Sequence, residues 1–136
     1  MNEQQIWDMK PGRQLDALVA KEMGWTNFSP VDPNCDHAVG VDGYRRNFAL
    51  DPGDGKQKPF PLYSTDIYAA WEVESTIADI VDNNELRARY VVALMHIVGV
   101  EYGTPWSPDD IFTLIHASAA DRCRAALLAL RGGEQR

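Results

Sequence analysis

The sequence predicts an α+β fold in which a small, mostly antiparallel sheet is sandwiched between helices, in one domain spanning residues 1–136. Three observations carry this. Apolar residues recur at helical spacing in several segments that are bounded by capping or stop residues. An Asp42-Gly43 pair stands between two β-prone arms, a strong short-range hairpin signal. A further short β-branched run, "IFTLIHA", reads as a buried strand, and no internal repeat is present.

The first helix is expected from about Pro11 to Met23, with Pro11 in its first turn and Gly24 just past its end. Leu15, Leu18, Val19 and Met23 form its apolar stripe. Trp25 then leads into the turn-rich "TNFSPVDPNCD". In the hairpin, Val39 and Val41 occupy one arm, and Tyr44, Arg46, Phe48 and Leu50 alternate along the other. The proline- and glycine-rich "DPGDGKQKPFP" reads as an irregular loop.

A second helix starts at Ser64 or Asp66 and carries Ile67, Ala70, Trp71, Val73, Ile77 and Ile80 on a broad face. Asp82 and Glu85 form a capping pattern ahead of "LRARYVVALMHIVG". As a helix, that run aligns Leu86, Tyr90, Leu94 and Ile97 and stops at Gly99. As a strand it would need about fourteen residues against the usual five or six, so helix is the reading adopted. "YGTPWSPDD" reads as a loop before the "IFTLIHA" strand. Ser118 and Asp121 cap a last helix, "RCRAALLAL", with Cys123, Ala126, Leu127 and Leu130 on its apolar face and a glycine pair to end it.

Composition narrows the function classes. Apolar residues make up 45% and charged residues 24%, a globular balance that argues against disorder. Thirteen Lys and Arg oppose twenty Asp and Glu, and a net charge of -7 has the wrong sign for coating a nucleic-acid duplex. A local arginine pocket for a small anion is compatible with it. Two cysteines, Cys35 and Cys123, make no disulfide framework. "MNEQQIWDMK" shows no basic start or apolar core of a signal peptide, and the longest apolar run, "YVVALM", is far too short for a membrane span. A cytoplasmic protein without membrane partners is expected.

Residue chemistry alone assigns no activity. Cys35, Asp36, His37, His96, His116 and Cys123 lack the paired spacing of a structural zinc site, and Cys123 falls on an apolar helical face. No nucleophile elbow occurs, and "DPGDG" lacks the ending of a P-loop. No cofactor is implied. Arginines come in pairs: Arg45 and Arg46, Arg87 and Arg89, Arg122 and Arg124. Guanidinium groups suit bidentate phosphate recognition, and Arg122 stands where a helix N-terminus would add its dipole. The competing reading is solvated surface charge. Among the aromatics Tyr44, Tyr63, Tyr68, Trp71, Tyr102 and Trp106, a ring beside an arginine could stack on a base, although rings at such positions also serve as core or as protein–protein anchors. The candidate binding residues rank as Arg122 and Arg124, then Tyr63, Trp71, Arg45 and Arg46, then Arg87, Arg89 and Trp106.

Three stretches carry a resemblance: "MKPGRQLDALVAKEMGW" at 9–25, "PLYSTDIYAAWEVES" at 61–75 and "DRCRAALLALRG" at 121–132. Together, in this order, they resemble the phage ABA sandwich domain family. That resemblance implies helix–sheet–helix layers and a phage origin. In size, element order and arginine and aromatic content the chain is also similar to phage anti-Thoeris sponges, which sequester cyclic ADP-ribose isomers. Anti-CBASS sponges hold cyclic oligonucleotides in the same way. The likeness implies a homo-oligomer in the host cytoplasm that binds a nucleotide-derived immune messenger without cleaving it, with an affinity of about -12 kcal/mol. Three rivals stay open: a protein that blocks a host partner, an enzyme that degrades the signal through His37, His96 or His116, and a structural phage component.

Overall fold

In the computed structural model the described residues are 2–34, 46–80, 84–101 and 106–132. They form an α+β fold with helices α1 (Glu3–Asp8), α2 (Arg13–Glu22), α3 (Ile67–Asp79), α4 (Asn84–Val98), α5 (Pro108–Ile115) and α6 (Ala119–Gly132). Strands β1 (Phe48–Leu50) and β2 (Gln57–Pro59) pair antiparallel, in the register Phe48 with Pro59 and Leu50 with Gln57.

α6 is the hub, with α1, α2, α3 and α4 all packed against it. Ala119, Ala120, Ala125, Ala126 and Ala129 are buried along it with Cys123 and Leu127. Small side chains all around let neighbouring axes approach closely, so this helix is apolar on several sides where its sequence pattern suggests one stripe. One hydrophobic cluster runs from Ile6 of α1 through Leu15, Val73, Leu86 and Leu127, and takes in Ala49 of β1 and Phe60 just past β2.

Several expected boundaries hold. Gly24 and Gly99 end α2 and α4 with φ of 98° and 82°, a left-handed conformation in which a side chain is strained. Asp66 is the N-cap of α3, its carboxylate accepting the Tyr68 amide. Residues 84–98 are helical, as the length argument required.

Two expectations are corrected. "IFTLIHA" is not a strand: residues 108–115 form α5. Ser107 caps it reciprocally with Asp110, and Pro108 takes the first helical position. This start signal outweighs the β-branched preference of Ile111, Thr113 and Ile115. Second, the stretch 51–61 is not irregular throughout. Asp51 accepts the Gly53 amide at 2.8 Å and its own amide donates to the Lys56 carbonyl at 2.9 Å, closing a turn that returns β2 onto β1. Lys58 reaches back to Asp51 at 2.9 Å and Asp54 at 2.5 Å. The Gly53 amide, then Lys58, hold the Asp51 carboxyl below its usual range. The expected Asp42-Gly43 turn, with Val39, Val41 and Tyr44, lies outside the described residues, as do Asp82 and Tyr102. The N-terminal helix α1 was not expected from the sequence. Asn2 and Gln5 build its capping box.

Candidate functional site

Four of the arginines expected to hold a ligand, Arg87, Arg89, Arg122 and Arg124, are turned toward the protein. Arg122 is 8% exposed and donates to the carbonyls of Ile115 at 2.8 Å and Ala117 at 3.2 Å, where α5 ends. Its third arm meets Glu74 of α3 at 2.5 Å. Arg124 donates to the Met9 carbonyl at the end of α1 and to Asp121, both near 2.8–2.9 Å. Arg87 bonds the carbonyls of Ala78 at 2.6 Å and Ile80 at 2.9 Å, closing α3. Arg89 bonds the Ala129 carbonyl of α6 at 2.9 Å. The last carbonyls of a helix have no partner within it and carry the negative end of its dipole, so a guanidinium from a neighbouring element is well placed there. Arg46 lies 3.8 Å from Asp32, and Arg45 lies outside the described residues.

The aromatics divide. Tyr63 is core, 3% exposed, and burial pushes its hydroxyl up to about 12. Trp71 is 46% exposed on α3, edge to face with Tyr68 at 5.4 Å. Trp106 is also exposed, just before α5. These three rings do not come together around the arginines.

A second buried network was missed by sequence reasoning. Asp16, fully buried, accepts from Arg13 at 3.1 Å, from the Ser64 amide at 2.7 Å and from the Ser64 hydroxyl at 2.6 Å. Arg13 lies over the Phe60 ring, 4.3 Å from its centre, and donates to the Phe60 carbonyl at 2.8 Å. Among the described residues no buried side-chain nitrogen or oxygen lacks a hydrogen bond, which marks this cluster as a structural latch between α2 and the approach to α3. Cys123 joins it as core: the thiol donates to the Tyr63 carbonyl at 3.1 Å, and burial pushes it up to about 12, far from a reactive thiolate.

An open groove lies between α1, α4 and α6. It has a volume of about 490 Å³ and is lined by Trp7, Ala88, Val92, Ala93 and Leu128 with Glu3, Glu85, Arg89 and His96 at its polar edges. An adjoining hollow shares Glu3, Trp7 and His96. Trp7 and His96 meet at 87° with ring centres 4.5 Å apart, so a flat ligand could stack on one ring while its edge meets the other. Glu85 accepts from Arg89 at 3.0 Å, which leaves the outer nitrogen of that guanidinium, Nη2, without a hydrogen bond among the described residues. Of the nine residues proposed from the sequence, Arg89 is the one that lines this groove. Trp7 was missed because "EQQIWD" is short, yet Asn2 followed three residues on by Gln5 is a legible helix start that would have placed it on a helix face.

His96 therefore sits in the groove, whereas His116 stacks on Phe112 at the end of α5, and Cys35, Asp36 and His37 lie outside the described residues. Among the described residues no helix is long and apolar enough to cross a membrane. Comparison with known proteins finds no matching family model, curated protein or solved structure.

Proposed function

We propose that the protein binds and holds a small nucleotide-derived signal, a cyclic ADP-ribose isomer or a cyclic oligonucleotide, without cleaving it. The observation that carries this reading is the Trp7–His96 corner over an apolar floor, in a groove of about 490 Å³, within the range of small-molecule sites. The setting, a phage protein that withdraws a bacterial immune messenger in the host cytoplasm, follows from the sequence resemblance.

The binding mode differs from a phosphate clamp. Two carboxylates and one guanidinium edge the groove, so its local charge disfavours a pyrophosphate and suits hydrogen-bond donors. In this mode the base stacks on Trp7 or His96, Glu3 or Glu85 accepts from an exocyclic amine or ribose hydroxyl, and the phosphates stay toward solvent within reach of Arg89. Burial of a base on an aromatic ring contributes about 1–3 kcal/mol.

The test is calorimetric titration with cyclic ADP-ribose isomers and cyclic di- and trinucleotides, followed by heat denaturation and mass analysis of what is released. Tight binding that is lost in Trp7→Ala, with intact release, supports the reading. Release of an altered nucleotide points to an enzyme, and a flat titration across the set overturns the proposal in favour of a protein partner.

A further inference from the structure

Residues 2–9, which include α1, form their hydrogen bonds almost wholly among themselves. Ile6 donates to the Asn2 carbonyl, Met9 to the Ile6 carbonyl, and the Asn2–Gln5 capping box closes within the same stretch. Among the described residues one hydrogen bond crosses from this segment to the rest of the chain, from Arg124 Nε to the Met9 carbonyl at 2.8 Å. Asp121 holds that guanidinium from its other side at 2.9 Å. The remaining attachments are Ile6, buried in the core, Met9, half-buried against it, and Trp7 on His96. A helix of six residues is well below the length that holds its shape alone in water, so α1 exists only while docked on α6. The chain is pinned again at Gly12, whose amide donates to the Ser64 hydroxyl at 2.9 Å. Between the two anchors Lys10 and Pro11 are exposed, and Gly12 has a φ of 153°, a conformation that glycine alone adopts readily.

We infer that residues 2–9 are a strap that opens as a unit about Lys10–Gly12, and that Arg124 is the positioning residue that keeps it shut over the groove. Arg124 does not line the groove. It acts through the Met9 carbonyl, two residues from Trp7. Glu3 and Trp7 supply the α1 wall, so the groove is complete only while the strap is closed, and opening removes the Trp7–His96 corner. A bond from a guanidinium to a part-buried carbonyl makes opening rarer by about tenfold or more. The consequence for ligand binding rests on the nucleotide reading of the groove and follows by linkage. A molecule that fills the groove stabilises the closed strap, and a change that frees the strap weakens binding by the fraction of closed chain lost.

The experiment is amide hydrogen exchange on the full chain, read residue by residue by NMR. In the free protein the Ile6 and Met9 amides should exchange well ahead of the central amides of α4 and α6, as a separately opening unit does. Val73→Ala, which opens a cavity in the core on the α3 side, should speed the α4 and α6 amides and leave Ile6 and Met9 unchanged, because strap opening does not break that contact. Arg124→Met, which keeps the aliphatic stem and removes the guanidinium, should speed Ile6 and Met9 by about tenfold or more. Arg124→Lys, with one donor left for the Met9 carbonyl, should fall between. Ile6→Ala frees the same segment from its own side and should also speed the Met9 amide. Acceleration of Ile6 and Met9 by Val73→Ala overturns the strap, since α1 then opens only with the whole domain. Indifference to Arg124→Met overturns the role of Arg124. Cyclic ADP-ribose and cyclic di-AMP are then added in turn, and the one that binds should slow Ile6 and Met9. Binding that leaves these rates unchanged overturns the coupling. Binding of neither removes the nucleotide reading, while the rates in the free protein still decide the strap.

Discussion

Replacing Arg122 by alanine separates a structural guanidinium from a ligand-binding one. The side chain bonds the Ile115 and Ala117 carbonyls and Glu74, which also accepts from the Tyr90 hydroxyl at 2.5 Å. Its loss strands two carbonyls where α5 turns into α6. A fully buried acceptor left unpaired costs about 1–3 kcal/mol, and water reaching one of them puts the pair near 2 kcal/mol. The Glu74 carboxylate is more than a third exposed, so its ion pair is discounted to about 0.5–1 kcal/mol. The packed aliphatic stem adds roughly 1 kcal/mol. The sum is about 3–4 kcal/mol, a large share of a typical domain's stability. For a chain of this length that lowers the melting temperature by about 10–15 °C. Arg122→Lys, which keeps the charge and at most one of the bonds, should fall between. The assay is thermal unfolding by circular dichroism beside nucleotide titration well below the melt. A shift under about 2 °C, typical of a surface residue, combined with lost nucleotide binding, would refute the clamp and restore Arg122 to a ligand site.

Asp16→Asn should lower stability by about 3–5 kcal/mol, because it leaves the Arg13 charge buried without its counter-ion; urea unfolding measures it, and a loss under about 1 kcal/mol would show the latch to be slack. Ser107→Ala removes the α5 N-cap and should cost about 1 kcal/mol, read as a small drop in helical signal and melting temperature. Stability should also fall on the alkaline side. Tyr63 and Cys123 keep their protons up to about 12 in the folded chain, against 10.0 and 9.0 ordinarily, so the unfolded chain releases them first as pH climbs above about 9 and folding is progressively disfavoured. Below that pH these groups contribute no slope; melting curves across the range check it, and a flat profile toward pH 11 would contradict the burial of both groups. If the groove holds a nucleotide as proposed, Trp7→Ala should weaken its binding by about 5- to 150-fold, the roughly 1–3 kcal/mol of one stacked base, while leaving most of the core intact, since the indole is only half-buried at the groove wall.

Much of the helical framework was legible because its signals are local. Asp66 ahead of the second helix, Gly24 and Gly99 after their helices, and the length of 84–98 each act within a few residues. Helix α5 sets two local signals in competition: the β-branched residues of "IFTLIHA" favour a strand, but the preceding "SPDD" holds both the cap and the first-turn proline and prevails. The role of Asp16 could not be read that way. Its partner Ser64 is 48 residues distant, and nothing near Asp16 signals a buried carboxylate. The groove was illegible for the same reason, since Trp7, Arg89 and Leu128 meet only once α1 and α4 have both packed on α6.

The arginine pairs show why composition misleads about sites. A guanidinium suited to two phosphate oxygens is equally suited to the unpaired carbonyls at a helix end, which offer partial negative charge in a similar geometry. Here Arg87, Arg89, Arg122 and Arg124 each take such carbonyls from another part of the chain, closing α3, α6, α5 and α1. The three stretches that carry the resemblance are joined to one another by buried or part-buried hydrogen bonds. Asp16 in the first holds Ser64 in the second, Cys123 in the third reaches the Tyr63 carbonyl, and Arg122 and Arg124 reach Glu74 and Met9. The residues that look most distinctive in this sequence therefore specify the fold. Tyr63 at the mouth of α3 is buried for that purpose, while Trp71 a few residues on is left outside. The proposed binding site is built instead from residues with little sequence signature, around the Trp7–His96 groove. Variation there would change ligand or partner without disturbing the helix-end clamps that hold the domain together.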